Sequence, residues 1–91
     1  MLPRQPILDS LAIGQTRFWL FDVSGSSPAT ACLWATDGEN NVFWSANKDD
    51  ELEQYVSISV VEELLYANTF SGWRHHIDVN TGVVLERWFT K

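Results

Sequence analysis

Residues 17–23 read Arg-Phe-Trp-Leu-Phe-Asp-Val. A half-exposed strand alternates apolar and polar positions. Here Phe18 and Leu20 point one way and Trp19, Phe21 and Val23 the other, so both faces of this stretch are apolar. Two further extended runs follow, Ala29–Thr36 and Asn41–Ala46, separated by the turn-forming stretches Ser24–Pro28 and Asp37–Asn41. The three runs predict an antiparallel meander. The doubly apolar first run predicts that both faces of the sheet are covered or that one is kept for a partner.

Two segments carry helical spacing. In residues 4–13, Ile7, Leu8 and Leu11 share a face, Pro6 suits a first turn and Gly14 suits a stop, which predicts a short N-terminal helix. Ser59-Val60-Val61-Glu62 matches the capping box, and Glu62 and Glu63 would sit where a helix dipole favours negative charge. Val61, Leu64, Leu65 and Asn68 then share a face, predicting a helix over about 60–69. Residues 53–58 read equally as a short strand or a helical turn.

Trp73–Val79 and Val83–Phe89 predict a C-terminal hairpin around Asn80-Thr81-Gly82, with Gly82 supplying a positive φ. A three-residue loop pairs Val79 with Val83 and sets His76 opposite Glu86. A four-residue loop pairs Asp78 with Val83 and sets His75 opposite Glu86. The expected fold is α+β: an antiparallel sheet of about five strands with two helices, in one domain spanning 1–91. Helices on one side would leave part of the Phe18–Phe21 set, Trp34 and one of Phe43 or Trp44 on an open aromatic face.

Charge narrows the function. Twelve Asp and Glu against six Lys and Arg leave a formal net charge of −6 and a pI near 4.6. Direct nucleic-acid binding draws its affinity from cations on phosphates and is disfavoured. The favoured partner is a protein with a basic surface. The single cysteine, Cys32, excludes an internal disulfide and reads as a buried thiol in mid-strand. The opening residues lack the apolar run of a signal peptide, and no stretch is long enough for a membrane span, so a cytoplasmic protein is expected.

The strongest charged feature is Asn47-Lys48-Asp49-Asp50-Glu51-Leu52-Glu53. A calcium loop starting at Asn47 would need glycine sixth and glutamate twelfth; Leu52 and Ile58 stand there, so the pattern fails. The run reads as a solvated turn or as an acidic patch, with Asp37 and Glu39 extending the same edge. The Ser24–Ser27 stretch lacks the glycine spacing and lysine of a phosphate loop. His75 and His76, being adjacent in a strand, face opposite ways and cannot easily share a metal.

Three functions follow as expectations. The first is a small non-enzymatic interaction module, in its sharper form an inhibitor or immunity-type protein that blocks a basic surface. It would use Asp37, Glu39, Asp49, Asp50, Glu51 and Glu53, with Trp19, Trp44 and Tyr55 as aromatic contacts. The second is a subunit or adaptor docking through an aromatic sheet face, by homodimerisation or with another protein. The third is a small enzyme or ligand-binding domain using His75, His76, Asp78 and Glu86. No cofactor or metal is implied by any motif.

Overall fold

A computed structural model describes residues 2–23, 31–46 and 55–90. These residues form eight strands and no helix: β1 (Ile7–Ile13), β2 (Thr16–Phe21), β3 (Leu33–Thr36), β4 (Val42–Ala46), β5 (Tyr55–Val61), β6 (Leu64–Thr69), β7 (Trp73–Ile77) and β8 (Val84–Phe89). Each half of the chain folds into a four-stranded antiparallel meander, β1-β2-β3-β4 and β5-β6-β7-β8. The described fold is therefore all-β, which overturns the expected α+β class and both expected helices.

The first correction is at the N-terminus. Residues 7–13 pair with β2, and Ile13 faces Thr16 across a two-residue turn that opens on Gly14 at φ 60. The glycine that suits a helix stop suits equally the first central position of a two-residue hairpin turn. An isolated ten-residue helix is marginal in water, whereas this edge position satisfies the backbone by pairing with an aromatic strand.

The second correction is at 60–69. Val61 faces Leu64 across Glu62-Glu63, and both glutamates adopt positive φ, 52 and 66. That is the backbone of a type I′ turn, normally supplied by Asn-Gly. Period two wins over period 3.6 here: Leu65, Ala67 and Thr69 are buried on one face, while Leu64, Tyr66 and Asn68 face outward. Ser59 of the supposed capping box instead sits in β5 opposite Tyr66.

The order of β2, β3 and β4 in a meander and the C-terminal hairpin form as expected; β3 begins at Leu33, so Cys32 lies just before it and not in mid-strand, and residues 24–30, where a loop and the start of this strand were expected, lie outside the described residues. The hairpin resolves its own ambiguity in two steps. Asp78 N–H donates to Val83 O at 2.9 Å, and Gly82 N–H closes the loop onto Asp78 O at 2.8 Å, giving the four-residue loop. A bulge between His76 and Ile77 then shifts the register, so His76 faces Glu86 after all.

The inward faces of both sheets feed one buried cluster. Phe18, Leu20, Leu33, Ala35 and Trp44 come from the first sheet; Tyr55, Ile58, Leu65, Ala67 and Ile77 come from the second. Cys32 is buried in the same cluster. β1 runs beside β5, which brings the two sheets together along one side. On another side, Trp44 donates its indole N–H to Val79 O at 2.9 Å and ties β4 to the β7–β8 loop.

Candidate protein-binding site

The register of the first sheet builds two cross-strand rows on its outward face. One row runs Ala12, Arg17, Thr36; the other runs Ser10, Trp19, Trp34, Ser45. Trp19 and Trp34 are directly opposed and half-buried. Their polar edges are both satisfied: Trp34 N–H donates to Ala31 O at 2.9 Å, and Trp19 N–H donates to Thr36 Oγ1 at 3.0 Å. The Thr36 hydroxyl donates in turn to Asp37 O at 3.0 Å. A chain of hydrogen bonds thus links the Trp19 ring to the start of the β3–β4 turn.

Asp37 organises that turn. Its Oδ1 accepts from Glu39 N–H at 2.8 Å and Asn41 N–H at 2.9 Å, and its Oδ2 accepts from Asn41 Nδ2 at 2.9 Å. The Asn41 side chain, then the Asn41 and Glu39 backbone N–H groups, hold the Asp37 carboxyl below its ordinary value of 3.8. Hydrogen bonds to a carboxylate favour the charged form. Asp37 is therefore ionised but committed to the loop. Glu39, exposed beside it, is the carboxylate at liberty to meet another molecule.

Between this turn and the β1–β2 hairpin lies an open cleft of ≈ 660 Å³. Trp19 forms part of its wall, Arg17 stands beside it, and Asp37, Gly38 and Glu39 form the facing rim. Two carboxylates and one guanidinium give the lining a formal charge of −1. The arrangement offers one indole, one committed carboxylate and one available carboxylate to a cationic side chain, with Arg17 able to meet an acidic neighbour of that cation.

Three of the sequence-derived candidates, Trp19, Asp37 and Glu39, thus meet at one site. Asp49, Asp50, Glu51 and Glu53 lie outside the described residues. Trp44 points inward at 8% exposure and packs on Phe18, with ring centroids 5.9 Å apart. Tyr55 is fully buried, its hydroxyl 2.8 Å from His75 Nδ1. Neither side chain is presented on the surface, and on β4 the exposed aromatic is Phe43. Arg17 was not a sequence candidate, because reading 4–13 as a helix hid the hairpin that sets Ala12 beside it.

The histidines do fall on opposite faces. His75 packs inward against Tyr55, and His76 lies outward beside Tyr66, with ring centroids 5.3 Å apart. Asp78 caps the β7–β8 loop by accepting Asn80 N–H at 2.8 Å. These placements give each of the three a structural role. Among the described residues no group of three or more His, Cys, Asp or Glu is placed to hold a metal ion. Among them, too, no helix is long and apolar enough to cross a membrane.

No protein-family model matches the chain, and no curated protein is similar to it.

Proposed function

We propose that this chain is a small acidic, non-enzymatic protein-interaction module that covers a basic surface on a larger cytoplasmic target. The observation that carries this reading is the convergence of Trp19, Asp37 and Glu39 on one open cleft. An indole face attracts a guanidinium or ammonium by about 0.5–2 kcal/mol, depending on how dry the contact is. A neighbouring carboxylate adds a charge-assisted hydrogen bond. The net charge of −6 steers a basic partner toward the chain at low salt. The acidic run at 49–53 adds to that steering through its sequence charge.

The reading is tested with an eight-residue arginine peptide as a stand-in for the basic surface, titrated by calorimetry at low and high salt. Binding that weakens with salt, and that falls about threefold to tenfold in each of Trp19→Ala and Glu39→Gln, supports the cleft. Unchanged affinity in both variants overturns it.

A further inference from the structure

Arg17 stands in the cleft with its charge uncompensated. It is one of six basic residues in a chain of net charge −6. Asp37 and Glu39 line the same cleft, yet among the described residues no ion pair or hydrogen bond engages the Arg17 side chain. The register explains why. Its neighbours across β2 are Ala12 on β1 and Thr36 on β3. Ala12 has no polar group, and the Thr36 hydroxyl is taken up between Trp19 N–H and Asp37 O. The Asp37 carboxylate is committed to Glu39 N–H, Asn41 N–H and Asn41 Nδ2. Arg17 itself is exposed, so its guanidinium is open to a ligand.

A uniformly basic partner leaves this residue unexplained. An unbroken run of Lys or Arg laid in the cleft would set one of its cations against Arg17, and facing like charges are unfavourable. What complements the cleft is a cation and a carboxylate side by side. Their spacing follows from β2. Arg17 and Trp19 are two residues apart on one face of that strand, about 6.6 Å. An extended segment lying along β2 presents its own side chains at the same interval.

We propose that the cleft binds an extended segment of the partner protein in which an arginine and an acidic residue are separated by one neutral residue, with the arginine taken by Trp19 and Glu39 and the carboxylate by Arg17. This specificity rests on the cation role proposed for Trp19 and Glu39, and narrows it. Arginine suits the site better than lysine, because a planar guanidinium stacks on an indole and forks to a carboxylate. Arg17 offers the same fork to the acidic residue. The cleft is open and takes the segment in passing, so that carboxylate is a side chain and not a chain end. Arg17 is then a specificity-determining residue. It pairs with the mixed segment and rejects a polybasic tract that the net charge alone would attract.

The test titrates two peptides into the full chain by calorimetry at about 0.15 M salt, where a Debye length of about 8 Å leaves mainly local charge effects. One is the eight-residue arginine peptide. The other, Lys-Lys-Ser-Asp-Ser-Arg-Ser-Asp-Ser-Lys-Lys, sets an aspartate two positions from its arginine on each side, so it fits in either direction. Arg17→Gln should move the two affinities in opposite directions, each by about twofold to fivefold: the mixed peptide binds more weakly and the arginine peptide more tightly. With asparagine in place of both aspartates, Arg17→Gln should no longer weaken binding, which assigns the loss to the carboxylates. A merely structural role would weaken all three peptides alike. That result, a change of the same sign in the mixed and arginine peptides, or no change in either overturns the proposal, and leaves the cation role in place where Trp19→Ala and Glu39→Gln still weaken binding. Binding that neither Trp19→Ala nor Glu39→Gln alters, or no binding of either peptide, overturns the cation role and the specificity together.

Discussion

Trp19 donates its indole N–H to the hydroxyl of Thr36 at 3.0 Å, and Thr36 is fully buried. The bond fixes the ring that walls the cleft, and Thr36 passes the constraint to Asp37 at the head of the turn. Thr36→Val keeps the shape and removes the acceptor. Leaving a part-buried N–H unpaired costs about 1–3 kcal/mol. Chemical denaturation should therefore show that loss, and Trp19 fluorescence should report a more mobile ring. A variant as stable as wild type, with an unchanged Trp19 signal, would mean that the hydroxyl does not hold the indole.

Gly82 and Trp44 fix a second point. A Cβ added at Gly82 would lie 2.5 Å from Trp44 Cε3, and Gly82 has φ 79, where side chains are rarely tolerated. Gly82→Ala should cost about 2–4 kcal/mol, combining backbone strain with displacement of a core indole. The measurement is the urea midpoint at constant m-value. Gly38→Ala, with nothing within 4 Å of the added atom, is the neutral comparison.

The Glu62-Glu63 turn is a reservoir of strain. Two non-glycine residues at positive φ cost about 1 kcal/mol or more each. Replacing the pair by Asn-Gly should stabilise the chain by about 1–2 kcal/mol, raising the thermal midpoint by several degrees. Were residues 60–69 a helix, the same double change would destabilise it, because Asn and Gly are poor helix formers. The sign of the shift separates the two structures.

Asp37 gives a pH dependence with a defined sign. Its folded carboxyl sits below 3.8, chiefly because the Asn41 side chain donates to it. The stability it contributes is fully present above about 3.8 and is lost as pH falls through the lower folded value. Carboxyl NMR titration should show Asp37 returning toward the ordinary value in Asn41→Ala. An unmoved titration in that variant would show that Asn41 does not govern it.

These features mark how far the sequence was legible. The β2–β3–β4 meander and the β7–β8 hairpin were readable because turn-forming residues punctuate them: Asp37-Gly38 between β3 and β4, Asn80-Thr81-Gly82 between β7 and β8. The β5–β6 hairpin was not, because Glu-Glu is no turn signal, and Ser59-Val60-Val61-Glu62 imitates a helix cap. The outcome there rests on burial of Leu65, Ala67 and Thr69 against Ile58 and Ile77, a long-range gain that no local pattern carries. At the site, charge and aromatic content pointed to Trp19, Asp37 and Glu39, but the same criteria also picked Trp44 and Tyr55, which the core takes. Which aromatic faces out depends on register, and register was open.

The acidic run makes an independent kinetic prediction. Replacing Asp49, Asp50, Glu51 and Glu53 by Asn or Gln removes four of the twelve carboxylates. Association with a basic partner should slow and lose much of its salt dependence, while dissociation changes little. Stopped-flow mixing with the arginine peptide measures both rates. An unchanged association rate would remove the run from the binding mechanism.

The role proposed for the cleft bounded by Trp19 and Glu39 is to receive a cation from a protein partner. The most direct measurement is a ¹H–¹⁵N NMR titration of the whole chain with the arginine peptide. Saturable shifts should concentrate on the Trp19 indole N–H and on the Gly38 and Glu39 amides, fading as salt is raised. Shifts that leave those groups untouched, or none at concentrations where the peptide binds, would contradict it.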